Sequence, residues 1–116
     1  MNSINSCAIS YLGKNYHCSI SLAMNLIGGK WKGVILYYLR DKSQRFGELR
    51  KNIPDITEMT LSLQLKQLER DGLISRTVKG DKPPIQVNYA LTDKGLSLSP
   101  ILMALSEWAK AIKHAD

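Results

Sequence analysis

Thr57-Glu-Met-Thr-Leu-Ser-Leu-Gln-Leu-Lys-Gln-Leu-Glu-Arg-Asp-Gly72, followed at once by Leu73-Ile-Ser-Arg-Thr-Val-Lys79, is the stretch whose reading decides the fold. The Thr57 hydroxyl suits an N-cap, where it can accept from an orphan N–H of the first turn, and Gly72 supplies a permissive stop. The spacing therefore predicts a helix over 58–71. At about 100° per residue, Leu61, Leu65 and Leu68 fall on one narrow stripe, while Met59, Thr60, Leu63, Lys66 and Gln67 turn to the opposite side. The stripe is built to pack, which leaves the other face to touch something else. After Gly72 the period changes to two: residues 73–79, a turn-rich Gly80-Asp-Lys-Pro-Pro84, then Ile85-Gln-Val-Asn-Tyr-Ala-Leu91 with Val87, Tyr89 and Leu91 on one face. An antiparallel hairpin with a lysine-bearing tip is expected there.

Working towards the N-terminus, Phe46, Leu49 and Ile53 mark a helix over about residues 45–52, closed by Ile53-Pro54-Asp55. That helix, the short turn and the Thr57 helix have the helix-turn-helix form, and the hairpin behind them makes a wing. A further helix is expected over about residues 30–41, carrying Trp31, Val34, Ile35, Tyr38 and Leu39. Before it, Ile20, Ala23, Met24 and Ile27 stand at i, i+3, i+4 and i+7, a short helix broken by Gly28-Gly29. Residues 1–17 lack periodicity and read as an N-terminal arm with Tyr11 and Tyr16 as packing points; residues 18–116 form the domain. The expected class is mainly α with a small β-hairpin wing, a winged helix-turn-helix. From Asp93 a longer helix is expected, with Leu98, Ile101, Leu102, Leu105, Trp108, Ala109 and Ile112 along one side. Three helices and a hairpin already make a core, so this stripe is assigned to a second copy of the chain. The competing reading folds it back as intramolecular core.

With 116 residues, 44% of them apolar, the chain can bury one modest core without staples. Its 16 basic residues against 10 acidic ones give a formal charge of +6, and no acidic residue precedes Asp41. Such a balance favours a polyanionic partner, although it also serves simple solubility. No apolar run is long enough for a membrane span and no start resembles a signal peptide, so a cytoplasmic protein without membrane attachment is expected. Cys7 and Cys18 are too few for a disulfide framework, and no Cys or His spacing suggests a metal. The two histidines, His17 and His114, lie near the chain ends, and no nucleophile elbow, carboxylate pair or phosphate-cradling loop is present. No enzyme activity and no cofactor are expected.

Together these features point to double-stranded DNA. The N-terminal half of the Thr57 helix would enter the major groove, with Thr60, Lys66 and Gln67 meeting base edges or phosphates and Met59 or Leu63 contacting a thymine methyl. Arg76, Lys79 and Lys82 on the wing, with Arg45 and Arg50 on the preceding helix, would neutralise phosphates. Each of these groups could equally be an ordinary solvated side chain. The same architecture also serves as a protein-interaction or RNA-binding module, which remains the alternative. Cys18, just before a helix start and near His17 and Lys14, is a candidate redox thiol, with a small packing residue as the other reading; Cys7 is either its partner thiol, within or between chains, or a plain residue of the arm.

Four segments, Cys18-Ser-Ile-Ser-Leu-Ala-Met-Asn-Leu-Ile-Gly-Gly-Lys-Trp31, Arg45-Phe-Gly-Glu-Leu49, Leu61 through Ile74, and Tyr89-Ala-Leu-Thr-Asp-Lys-Gly95, resemble the HxlR-type winged helix-turn-helix transcription regulators, which are related to the MarR group. The resemblance covers about residues 18–112. It implies a homodimeric regulator joined through its N- and C-terminal helices, acting on a palindromic operator. Carried over by position, the recognition helix is Thr57–Asp71, including Gln64, and the wing is Arg76–Gln86. The interface residues it implies are Ile20 together with Leu98, Ile101, Leu102, Leu105, Trp108 and Ile112. Cys18 stands where the family has an N-terminal cysteine that senses oxidants, quinones or aldehydes in some members. Ser19 and Ser21 depart from the proline and acidic residue common there, and Leu63 and Gln64 from the polar or arginine residues common on the recognition helix.

Overall fold

Leu61, Leu65 and Leu68 of helix α4 (Glu58–Arg70) are at most 2% exposed, and they enter one cluster with residues from every other major element. The computed structural model describes residues 7–115, with side chains through residue 112; residues 1–6 of the expected arm lie outside the described residues, as does residue 116. In chain order the elements are β1 (Ile9–Tyr11), β2 (Lys14–Tyr16), α1 (Ser19–Ile27), α2 (Lys32–Tyr38), β3 (Gln44–Arg45), α3 (Phe46–Asn52), α4, β4 (Ile74–Lys79), β5 (Gln86–Leu91), α5 (Asp93–Leu96) and α6 (Ser99–Ala115). Ile35 and Leu36 of α2, Leu49 of α3, and Ile53 and Ile56 of the connecting turn complete the buried centre. The 3.6-residue spacing that predicts these helices is the spacing at which their apolar side chains meet.

The wing is a regular antiparallel pair from Ile74↔Leu91 to Lys79↔Gln86. Only its base is buried, at Ile74; residues 75 to 86 are exposed. The structure adds a third strand that the sequence pattern does not announce. β3 pairs with β5 through Gln44↔Tyr89 and Arg45↔Asn88, giving the order β3-β5-β4. Gln44 is the one buried polar side chain among the described residues. Its amide nitrogen donates to the Tyr38 carbonyl, and its amide oxygen accepts from Asn52 Nδ2 at 2.8 Å. Buried amides need such partners, and this one ties β3 to the ends of α2 and α3.

Three expectations need correction. Residues 9–16 are a β-hairpin, not an aperiodic arm; its turn has Leu12 at φ 48° and Gly13 at φ 80°, the left-handed pair a two-residue hairpin loop requires. Tyr11 and Tyr16 are both half-buried, as their role as packing points required. The helix over 30–41 is shorter, Lys32–Tyr38, because Arg40 Nη1 caps the Tyr37 carbonyl at 2.7 Å and the chain turns towards β3. The C-terminal segment is two helices. Thr92 caps α5, its Oγ1 accepting from the Gly95 N–H at 3.1 Å while donating to the Gly72 carbonyl at 2.7 Å. Pro100, which tolerates only a first helical turn, then starts α6 anew.

The α6 stripe divides. Leu102 is buried in the core and Leu98 packs beside it, so both leave the surface assigned to a second copy. Ile101, Leu105, Trp108 and Ile112 stay exposed on a face about 90° around the helix.

Two glycines test the packing in opposite directions. A Cβ on Gly95 would lie 2.0 Å from the Leu73 carbonyl oxygen, whereas one on helical Gly47 meets nothing within 4 Å. Urea unfolding of Gly95→Ala should show a loss of about 1–3 kcal/mol, and Gly47→Ala a gain of up to about 1 kcal/mol. Equal midpoints for the two variants would refute this account of the α5 contact.

Candidate nucleic-acid interface

Helix α4 is fixed at both ends by devices legible in its sequence. At the N-terminus Thr57 Oγ1 accepts from the Thr60 N–H at 3.1 Å. At the C-terminus Leu73 N–H donates to the Leu68 carbonyl at 3.0 Å and Gly72 N–H to the Glu69 carbonyl at 3.0 Å, with Gly72 at φ 82°. This is the double bond of a Schellman stop, closed by apolar contact between Leu73 and Leu68. The helix is thereby fixed in length, and its buried leucines fix its rotation.

What faces outward follows. Met59 is 82% exposed and Leu63 51%, with Lys66 exposed between them and the wing. Phe46, Glu58, Met59, Ser62, Leu63 and Lys66 line an open, mainly apolar hollow of about 670 Å³ between the start of α3 and α4. On one flank Lys66 and Arg76 share a cleft with Ser62, Glu69 and Tyr89, which brings the recognition helix and the wing together. Lys79 and Lys82 sit farther out, exposed at the end of β4 and at the tip. Among the described residues none of Lys66, Arg76, Lys79 and Lys82 has a carboxylate within ion-pair distance.

Not every candidate lies on that outer face. Gln64 and Gln67 are half-buried and line a cleft on the other flank of α4, against Gly28–Lys32. Thr60 is also half-buried, and its hydroxyl accepts from Thr57 Oγ1 at 2.9 Å. Arg45 is exposed on β3, where its backbone N–H donates to Glu48 Oε1 at 2.8 Å and so caps α3. Arg50 projects from α3 and lies 3.8 Å from Glu58, an exposed pair of small energetic worth. Arg70 is a basic residue on the outward side of α4 that the sequence reading passed over; it stands 3.7 Å from Asp71.

The two cysteines lie at the open end of the N-terminal hairpin. Its register runs Tyr11↔Lys14, Ser10↔Asn15, Ile9↔Tyr16; Cys7 precedes β1 by two residues and Cys18 follows β2 by two. Both are free thiols, Cys7 exposed and Cys18 half-buried as the N-cap of α1. The hairpin reaches the recognition helix directly: Tyr11 OH donates to the carbonyl of Asp71, the C-cap residue of α4.

A helix anchored in the core by Leu49, followed by a turn and a second helix with an exposed outer face and flanked by an exposed basic hairpin, defines a winged helix-turn-helix DNA-binding domain. Comparison with known proteins narrows this. Residues 26–116 match the model of the HxlR-like helix-turn-helix family, and the chain belongs to that family of transcription regulators. It is 50% identical over 95 residues to an uncharacterized HTH-type transcriptional regulator of Methanothermobacter thermautotrophicus, covering 82% of this chain and 72% of the relative. It is 45% identical over 96 residues to the uncharacterized HTH-type regulator YdeP of Bacillus subtilis, covering 83% and 74%. Among solved structures, the redox regulator HypR in its oxidized form superposes with a TM-score of 0.76 at 40% identity, covering 81% of this chain and 96% of that one.

Loss of the α4 cap should be measurable. Thr57→Ala removes an N-terminal acceptor and should cost about 1 kcal/mol in urea unfolding, with faster amide exchange confined to the first turn of α4. Unchanged exchange at Thr60 would contradict the capping role.

Proposed function

We propose that this chain regulates transcription in the cytoplasm as a homodimer that seats two α4 helices in successive major grooves of a palindromic operator. The observation that carries the reading is the outer face of α4, where Met59, Leu63 and Lys66 stand exposed beside Arg76 of the wing. An exposed methionine and leucine on an otherwise well-packed helix suit thymine methyl groups at the floor of the groove. Lys66, Arg76, Lys79, Lys82 and Arg45 then take phosphates and set the register, with Arg50 exchanging its weak contact to Glu58 for a phosphate. Gln64, Gln67 and Thr60 act from the flank, where they reach groove edges rather than its floor. No helix among the described residues is long and apolar enough to cross a membrane.

Support for the second copy comes from α6. Ile101, Leu105, Trp108 and Ile112 form one exposed apolar face, and Ile20 and Met24 on α1 are exposed as well. Apolar surface of this kind on a small domain marks an interaction site, and the dimer it would form must hold its recognition helices roughly 34 Å apart, one turn of B-DNA, to occupy successive grooves.

A second reading, thiol control, is favoured by two free cysteines that flank the two strands of the N-terminal hairpin, together with the likeness to a redox regulator. With an organic hydroperoxide as oxidant, the exposed Cys7 thiolate attacks the distal peroxide oxygen. The O–O bond breaks, an alcohol leaves, and a sulfenic acid forms. The Cys18 thiolate then attacks that sulfur and displaces hydroxide, which leaves as water. The balance is two thiols and one hydroperoxide to one disulfide, one alcohol and one water.

Three measurements test these readings. For a duplex selected by the protein from a random pool, Lys66→Ala and Arg76→Ala should each lower the slope of log affinity against log salt by about one per contact; unchanged slopes in both would remove the DNA-backbone assignment. Light scattering should give twice the chain mass for the wild type and a single-chain mass for Trp108→Glu, and a monomeric wild type would end the homodimer reading. Peroxide treatment should remove two hydrogens from the chain mass, shift operator affinity and do neither in Cys7→Ser; equal affinities before and after oxidation would eliminate the switch.

A further inference from the structure

We infer that Lys30, on the Gly28–Lys32 loop, is a phosphate anchor on the flank of the recognition helix opposite the wing, so that α4 is gripped from both sides of the groove. The proposal rests on the operator reading above and adds a binding residue to it. The loop lies against α4: Gly28, Gly29, Lys30, Trp31 and Lys32 line one cleft of about 300 Å³ with Gln64 and Gln67. Arg76 lies in the cleft on the other side, with Ser62, Lys66 and Glu69. On a helical projection those two flanks bracket Met59 and Leu63, the residues that point straight out. A major groove about 12 Å wide has a sugar-phosphate strand along each edge. A helix lying in it therefore meets a phosphate row on both flanks, and the wing accounts for one row only.

The loop conformation is specific to its sequence. A Cβ on Gly28 would stand 2.1 Å from the Met24 carbonyl oxygen, and Gly29 sits at φ 79°. The glycine pair lets the chain turn sharply out of α1 and return beside α4. Of the two lysines that follow, Lys32 is engaged, donating to the Asn25 carbonyl at 3.2 Å. Lys30 is exposed, and among the described residues no carboxylate lies within ion-pair distance of it. Its ammonium stands 4.9 Å from the centre of the Trp31 ring, and Trp31 packs on the core. Stacking on an anchored ring restricts a side chain that otherwise loses considerable rotamer freedom on binding. The charge is thus held over Trp31, which lines the same cleft, before any DNA arrives.

The test compares the salt dependence of binding for wild type, Lys30→Gln, Lys30→Arg and Lys110→Gln, each on a selected duplex and on a scrambled duplex of equal length. Lys110 is a control because it lies on α6, paired with Glu107 at 3.4 Å. Lys30→Gln should lower the slope by about one per protomer and weaken both duplexes by the same factor, because a phosphate contact carries no sequence information. Lys30→Arg should keep the wild-type slope, and Lys110→Gln should not change it. An unchanged slope for Lys30→Gln, a loss confined to the selected duplex, or an equal loss in Lys110→Gln would overturn the proposal while leaving the operator reading intact. A wild type that binds neither duplex would overturn both.

Discussion

The seating of Leu61, Leu65 and Leu68 against Ile35, Leu36, Leu49, Ile53 and Ile56 is the constraint from which the rest of the molecule follows. All eight side chains are at most 3% exposed. Protein interiors are close-packed, so the helix cannot rotate gradually. A slip of one residue turns it by about 100° and would drive Lys66 towards the place of Leu65. Truncating even one such leucine costs about 2–5 kcal/mol, against a stability of about 5–15 kcal/mol for a whole domain. The outer face of α4 is therefore not a flexible choice among several faces. Length is held as firmly as rotation, since the stop at Gly72 is pinned from outside by Thr92 and by the close approach of Gly95 to Leu73.

Where the sequence was legible, two independent signals agreed. The bounds of α4 came from Thr57, Gly72 and the leucine spacing, and those same atoms make the cap, the stop and the core contacts. The wing was legible because a change of period coincided with a turn-rich segment. Elements with one signal or none were missed. β3 is two residues long, too short for any period, and exists because Gln44 finds partners on α2 and α3. The N-terminal hairpin turns through Leu12-Gly13, and leucine at φ 48° carries none of the asparagine or aspartate chemistry that marks such turns. Its strands are three residues each and draw their support from tertiary contacts. The α5 to α6 break was announced by Pro100, but an apolar stripe running through it concealed the division. Leu98 and Leu102 matched the spacing of Ile101 and Leu105, and only the position of α2 separates core from surface. For the interface, helical spacing identified the outward residues Met59, Leu63 and Lys66, whereas the half-burial of Gln64 and Gln67 depends on a loop about 35 residues away in sequence, which no local pattern encodes.

The charge of +6 gains meaning from where the carboxylates are placed. Each ion pair of the described residues has at least one largely exposed partner, joins close neighbours or adjacent elements, and is worth about 0–1 kcal/mol. They leave the fold almost unaffected and instead decide which cations stay available. Arg40 and Arg70 are neutralised locally, Arg50 partly so by Glu58, while Lys30, Lys66, Arg76, Lys79 and Lys82 keep their charge around α4. A polyanion approaching this side meets unbalanced positive charge on both flanks and an apolar strip between them.

The N-terminal hairpin bears on α4 from its far end, and the strength of its contacts limits what it can do. A two-stranded hairpin is marginal on its own. This one is held by Tyr11 bonded to the Asp71 carbonyl, by Lys94 Nζ lying 4.4 Å over the Tyr11 ring, and by Tyr16 accepting from Asn25 at 3.1 Å. Under the thiol control proposed above, a displacement at its cysteine end would reach α4 chiefly through Tyr11. A hydrogen bond of that kind contributes about 0.5–1.5 kcal/mol, which corresponds to roughly two- to tenfold in an equilibrium constant. Coupling of that size would adjust a DNA affinity and would not abolish it. In the homodimer proposed above, a larger response would require the hairpin to act on the arrangement of the two protomers as well, where a small rotation at the α6 faces would be multiplied over the distance between two recognition helices.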